Sequence, residues 1–128
     1  PNGVFGQDVQ GAFRVVAAEQ AEDVVWQEAT QSGPMLLIDG RPHPAFNEAS
    51  NNVNIRNGVG IRPDGSVVFG LSNDPITFYA FANAFAAQGC EQALYLDGAI
   101  SRMHLRADGE PEAGGVFSVM IGVIDFAQ

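Results

Sequence analysis

The sequence predicts an α+β fold: a single domain with a mixed β-sheet and one main helix over about residues 74–89. Three observations predict it. Short apolar or β-branched runs recur along the chain and stop at Gly, Asp or Pro. One stripe of residues, Phe78, Phe81, Ala82 and Phe85, keeps the three- and four-residue steps of a core-facing helix. The order is strands, that helix, then strands, which favours α+β over a regular βαβ series.

Each element has its own signal. Gly3–Phe5 reads as a short strand ending at a turn, and Phe13–Ala17 as a strand with β-branched residues at its centre. The acidic stretch Glu19–Gln27 reads as one or two helical turns. Met35–Ile38 is continuously apolar, as expected of a strand covered on both faces, and Asp39-Gly40 closes it with a tight turn. Arg41–Asn54, with two Pro and four Asn, is a long loop of the kind that often carries function. Val59–Arg62 and Ser66–Phe69 flank Pro63-Asp64-Gly65, the strongest hairpin signal in the chain. Asn73 or Asp74 is suited to cap the helix, Pro75 to open it and Gly89 to close it. Leu94–Leu96 is the next strand, with Met103–Leu105 continuing past a bend. Asp108–Gly115 reads as a polar turn and Val116–Ile124 as a closing strand.

Composition narrows the function. The 128 residues, 46% of them hydrophobic, suffice for one core and not for two ordinary domains. No apolar run approaches the roughly 18 residues that a membrane span needs. Net charge is −9, so nucleic acid is a poor partner for this surface. All six basic residues are Arg, the side chain suited to forked anion contacts. Cys90 is alone, so no disulfide can form within the chain, and it reads as a buried structural thiol. Pro1-Asn2-Gly3 reads as a turn inside a longer protein, so the chain is expected to be the C-terminal part of a larger domain.

The chemistry-bearing residues gather at three junctions between strand and loop. Leu96-Asp97-Gly98-Ala99-Ile100-Ser101 ends an apolar run with a carboxylate and a following hydroxyl. An Asp at a strand end can act as a general base, orient a sugar hydroxyl, or cap the backbone N–H groups of Ala99 and Ile100. Arg56 stands beside Asn57 and Gly58, where a guanidinium is suited to clamp two phosphodiester oxygens or to pair with Asp39 or Asp97. Ser32-Gly33 precedes the third apolar run and offers a hydroxyl donor. Neither Ser32 nor Ser101 lies in a nucleophile elbow, so a serine-hydrolase triad is unsupported. His43, between two prolines, and His104 are each suited to a proton shuttle or to packing. No cofactor is expected, because the ligand spacing does not support a divalent cation at Asp97.

Three motifs in order, Thr30–Gly40, Ile55–Gly60 and Leu96–Ser101, resemble the phosphodiester glycosidase family. The opening Pro1–Phe5, His43-Pro44, and the helix residues Phe78, Tyr79 and Phe81 are similar to its bacterial, exopolysaccharide-related branch. The resemblance covers nearly all of the chain. It implies an α+β fold, a carbohydrate or sugar-phosphate substrate and a periplasmic or extracytoplasmic location. Carried onto this chain, it places Arg56 and Asp97 at the catalytic site, with Ser32, Gly33, Asn57, Gly58, Gly98, Ser101 and His43 as substrate-binding positions. Two departures stand out. Ala99-Ile100 occupies a position that is glycine-rich in the branch of the lysosomal uncovering enzyme, and an upstream segment with its own Asn-Gly-rich motif is missing here.

The expected function is hydrolysis of a sugar phosphodiester in envelope or exopolysaccharide metabolism. Arg56 would hold the phosphate, and Asp97 would act as base or stabilise a cationic sugar. Asp39 is the other carboxylate beside a motif. The alternative is a non-catalytic carbohydrate-binding or envelope assembly module with the same fold.

Overall fold

The computed structural model describes residues 2–97, 101–104 and 120–124. In order they form β1 (Gly3–Asp8), β2 (Phe13–Ala17), a 3-10 turn (Ala18–Asp23), β3 (Trp26–Ser32), β4 (Met35–Ile38), β5 (Arg41–Pro42), β6 (Asn57–Ile61), β7 (Val67–Leu71), α1 (Phe78–Ala87) and β8 (Gln92–Asp97). The fold is α+β, as the sequence predicts. Among the described residues every named strand pair is antiparallel, in a three-stranded sheet ordered β2-β1-β3 and a five-stranded sheet ordered β5-β4-β8-β6-β7. No helix among the described residues is long and apolar enough to cross a membrane.

The five-stranded sheet lies between two apolar clusters. On one side α1 contributes Phe81, Ala82 and Phe85 against Leu36, Leu37 and Ala93. On the other, Phe5 and Val15 of the smaller sheet meet Met35, Val59 and Leu94. β8 serves both by alternation, Ala93 and Tyr95 toward the helix side and Leu94 and Leu96 toward the small sheet. This is why Met35–Ile38 of β4 and Ala93–Leu96 of β8 are apolar without a break: each run is covered on both faces.

The helix begins later than the pattern Asn73–Pro75 suggests. Thr77 is its N-cap, its Oγ1 accepting from Ala80 N at 3.1 Å, so Pro75 stands outside. Gly89 does close it, with φ +80°, a region where a Cβ costs energy. The second half of Glu19–Gln27 is also different. Trp26 opens β3, a polar strand with no buried residue, held by its ladder to β1 from Gly3↔Ser32 to Asp8↔Trp26. Met103 and His104 continue no strand, and Leu105 lies outside the described residues. Residues 120–124 are irregular and exposed, without a strand partner among the described residues; Asp108–Gly115 and Val116–Phe117 lie outside them, as do residues 118 and 119.

Glycines in β6 give α1 its seat. A Cβ on Gly60 would stand 2.8 Å from Phe85 Cδ1 and 2.6 Å from Cys90 Sγ. Phe85 and Cys90 are both buried, with no room to give way. Burial also pushes the Cys90 thiol above its ordinary pKa, which keeps it protonated and inert. Gly60→Ala is expected to cost about 1–3 kcal/mol by overpacking, read as a fall in the urea midpoint at unchanged slope. A Gly60→Ala protein with the wild-type midpoint would show that Phe85 is not confined as the packing implies.

Candidate functional site

The strand directions carry the three motifs to one end of the larger sheet. β4 and β6 start there, and β8, antiparallel to both, ends there. The register sets Asn57 opposite Asp97, so the first residue of β6 faces the last of β8 along the backbone. Two side-chain hydrogen bonds then tie the motifs together. Ser32 Oγ, at the end of β3, donates to Leu96 O at 2.9 Å. Asn57 Nδ2 donates to Ser101 Oγ at 2.7 Å, across 44 positions of sequence. Ser101 is buried, and the exposed Arg102 beside it donates from Nη1 to Ser101 O. Gly98 lies outside the described residues. His104 is exposed beyond Ser101. Asp39 is at the opposite end, in the turn from β4 to β5, where it accepts from Gln92 Nε2 at 2.8 Å.

Gly33 and Gly58 of these motifs are packing positions. A Cβ on Gly33 would run into Asn2, and one on Gly58 would stand 2.8 Å from Leu94 O. Both are thus required by the neighbouring chain, whatever binds nearby.

Arg56 is placed differently from a solvent-facing clamp. It is 2% exposed. Nε donates to Ile76 O at 2.8 Å and Nη2 to Asn52 O at 3.1 Å. The guanidinium carbon lies 3.6 Å from the Phe78 ring centroid and 5.7 Å from that of Tyr95. Burial lowers its pKa and Tyr95 raises it, and an arginine here stays charged. Its main chain is fixed as well: Arg56 N donates to Ser72 Oγ, and Ser72 N to Arg56 O, both at 2.8 Å. The charge is spent on holding the loop before β6 and the entry to α1 against the sheet end. Asp39, one expected partner, is bonded elsewhere, and the side chain of the other, Asp97, lies outside what the structure describes. Ser72 was missed by residue type alone. The hairpin register gives it, since extending Asn57↔Leu71 by one residue sets Arg56 opposite Ser72.

His43 follows β5 and comes to the same end, its N–H donating to Leu36 O at 2.9 Å. Nδ1 accepts from Ala45 N at 3.1 Å, so the ring is neutral with its proton on Nε2. Its ring contacts Phe46, which stacks on Phe78, which meets Tyr95 edge-on. An aromatic row thus runs from the loop to β8. Burial lowers the His43 pKa from 6.5. The unfolded chain therefore takes up this proton first as pH falls. The stability that neutral His43 contributes is complete above pH 6.5 and is lost as pH drops through the folded-state value. Wild type is expected to lose more stability than His43→Gln over that window in urea melts; parallel pH profiles would remove this role.

Among the described residues, two sheets and one helix thus bring the three motifs to one shared strand end. The chain matches the phosphodiester glycosidase family over residues 1–119 and belongs to it. It is 40% identical over 126 residues to the uncharacterized protein YigE of Escherichia coli strain K12, covering 96% of this chain and 49% of that protein. It therefore spans about half the length of that relative. Among solved structures it is similar to the catalytic domain of zebrafish N-acetylglucosamine-1-phosphodiester alpha-N-acetylglucosaminidase, auto-inhibited by its pro-peptide. That match has TM-score 0.58 at 17% identity, over 77% of this chain and 40% of that one. A hypothetical protein from Synechocystis matches with TM-score 0.51 at 20% identity, over 68% of this chain and 18% of the other. At these identities the two structures share the fold.

Proposed function

We propose that the domain hydrolyses a sugar linked through a phosphodiester, in envelope or exopolysaccharide metabolism outside the cytoplasm. The observation that carries this is the meeting of Ser32, Asn57 and Ser101 with the backbone of Asp97 at one sheet end, in a chain of this family. In the proposed reaction water adds to the anomeric carbon and the bond from that carbon to the phosphate oxygen breaks. A free sugar and a phosphomonoester leave. Asp97 takes the proton from water or stabilises the cationic sugar. A phosphate leaving group needs less acid assistance than an alcohol, so one carboxylate suffices. Arg56 acts through position, by holding the segment that delivers Asn57. The exposed cation adjoining Ser101 is Arg102, which is suited to the phosphate oxygens.

The test is release of reducing sugar from a panel of alkyl phosphodiesters of glucose, galactose, mannose and N-acetylglucosamine, using the protein at the full length of its gene. Turnover of at least one is expected. A protein that binds these sugars and releases none is instead a carbohydrate-binding module.

A further inference from the structure

Beside the motif end lies a cavity of about 140 Å³, open to solvent, between the loop after β5 and the first turn of α1. Its walls include Phe46, Asn47, Ser50, Asn52, Phe78 and Tyr79. We infer that this cavity seats one neutral sugar ring of the substrate. The inference rests on the hydrolase reading, since it names where the sugar part of that substrate sits.

The lining sets the ligand chemistry. No residue lining the cavity has a charged side chain, and the chain carries a net charge of −9, so an anion finds no countercharge in the lining. The polar groups are donors with spare capacity. Asn47 Oδ1 accepts from Ala49 N and Asn52 Oδ1 from Asn54 Nδ2, both at 2.9 Å, while the two Nδ2 groups of Asn47 and Asn52 bond no described residue. Ser50 Oγ accepts from Asn52 N at 3.2 Å, which leaves its O–H to donate. The lining also includes two stacked rings. Phe46 and Phe78 stack with centroids 5.1 Å apart and planes 9° apart, and the guanidinium of Arg56 lies over Phe78. Donors for hydroxyl oxygens and aromatic carbon in one lining suit a molecule with C–H faces and a rim of oxygens. The volume admits one small ring, well below the roughly 300 Å³ and more of a drug-sized pocket.

Its position fits as well. Arg56 bonds Asn52 O, lies over Phe78, and immediately precedes Asn57 in the chain. One residue therefore joins the cavity wall to the strand end where the motifs meet. The larger depression of about 310 Å³ is at the far end of β1, where Asp8 and Arg14 already pair with each other. It has no such link to the motifs.

The experiment is an amide NMR titration of the full chain with methyl glycosides of glucose, galactose, mannose and N-acetylglucosamine, and separately with inorganic phosphate. At least one glycoside is expected to shift the amides of residues 46–52 and of Tyr79, and phosphate is expected to leave them in place. Asn47→Asp with Asn52→Asp keeps the shape and both Oδ1 acceptors but turns each donor into an acceptor. That pair is expected to weaken glycoside binding at least about tenfold, which is one lost hydrogen bond's worth of affinity. Tyr79→Phe gives a milder change at the same wall. The inference falls if no glycoside moves these amides, if phosphate does, or if the double variant binds as tightly as wild type. Turnover without these shifts removes the sugar seat and leaves the hydrolase; the shifts without turnover do the reverse.

Discussion

Asp97→Asn is expected to lower kcat/KM on a cleavable sugar phosphodiester by about 10²–10⁴, the range a positioned acid or base contributes, with little change in KM. The substitution keeps the size of the side chain and removes its charge. The backbone argument for this residue is its register. As the last residue of β8 it pairs with Asn57, whose amide donates to Ser101, and the residue before it, Leu96, accepts from Ser32. Whichever carboxylate role applies, base or stabiliser of a cationic sugar, it needs the negative charge at that point. Asp39 supplies the control. It lies at the other end of β4, bonded to Gln92, so Asp39→Asn is expected to leave turnover unchanged. Equal rates for wild type and Asp97→Asn would remove the carboxylate from the chemistry, whatever the fold does.

Much of this arrangement was legible in the sequence because its signals are local. Pro63-Asp64-Gly65 sets the β6–β7 hairpin, Phe81 and Phe85 set the buried face of α1, and Met35–Ile38 is apolar because both its faces are covered. β3 was not legible. Its residues are polar on both faces, so no period shows, and its pairing with β1 depends on neighbours distant in sequence, from Gly3↔Ser32 to Asp8↔Trp26. The start of α1 was misplaced because Asp74-Pro75 carries the same local chemistry as a helix opening, while the actual cap, Thr77, is distinguished by where the chain turns. The site residues divide in the same way. Gly, Ser and Asp beside apolar runs mark strand ends, which is what placed Ser32, Asn57 and Asp97 together. Whether a given Arg faces solvent or loop carbonyls depends on the packing of Phe78 and the path of Asn52, and neither has a local signature.

Arg56 gives the sharpest stability prediction. Its removal takes one of two donors from Ile76 O, which keeps Asn54 N, leaves Asn52 O without its guanidinium donor and empties the space over the Phe78 ring. Hydrogen bonds to a charged group contribute about 1.5–3 kcal/mol each, and a desolvated cation–π contact up to about 2. These are not additive, so Arg56→Met is expected to cost about 3–5 kcal/mol, a large share of the roughly 5–15 kcal/mol that holds a domain folded. Arg56→Lys keeps the charge but cannot fork to two carbonyls from separate segments, and should recover only part of the loss. Urea melts of the three proteins decide this. The pattern matters more than the size. A phosphate clamp in solvent would leave stability nearly intact and raise KM for phosphodiesters over free sugars. A buried tie would lower stability first and shift the amides of both the loop before β6 and the start of α1. The second pattern is expected, because the same guanidinium spans both segments and neither has another charged group among its described contacts.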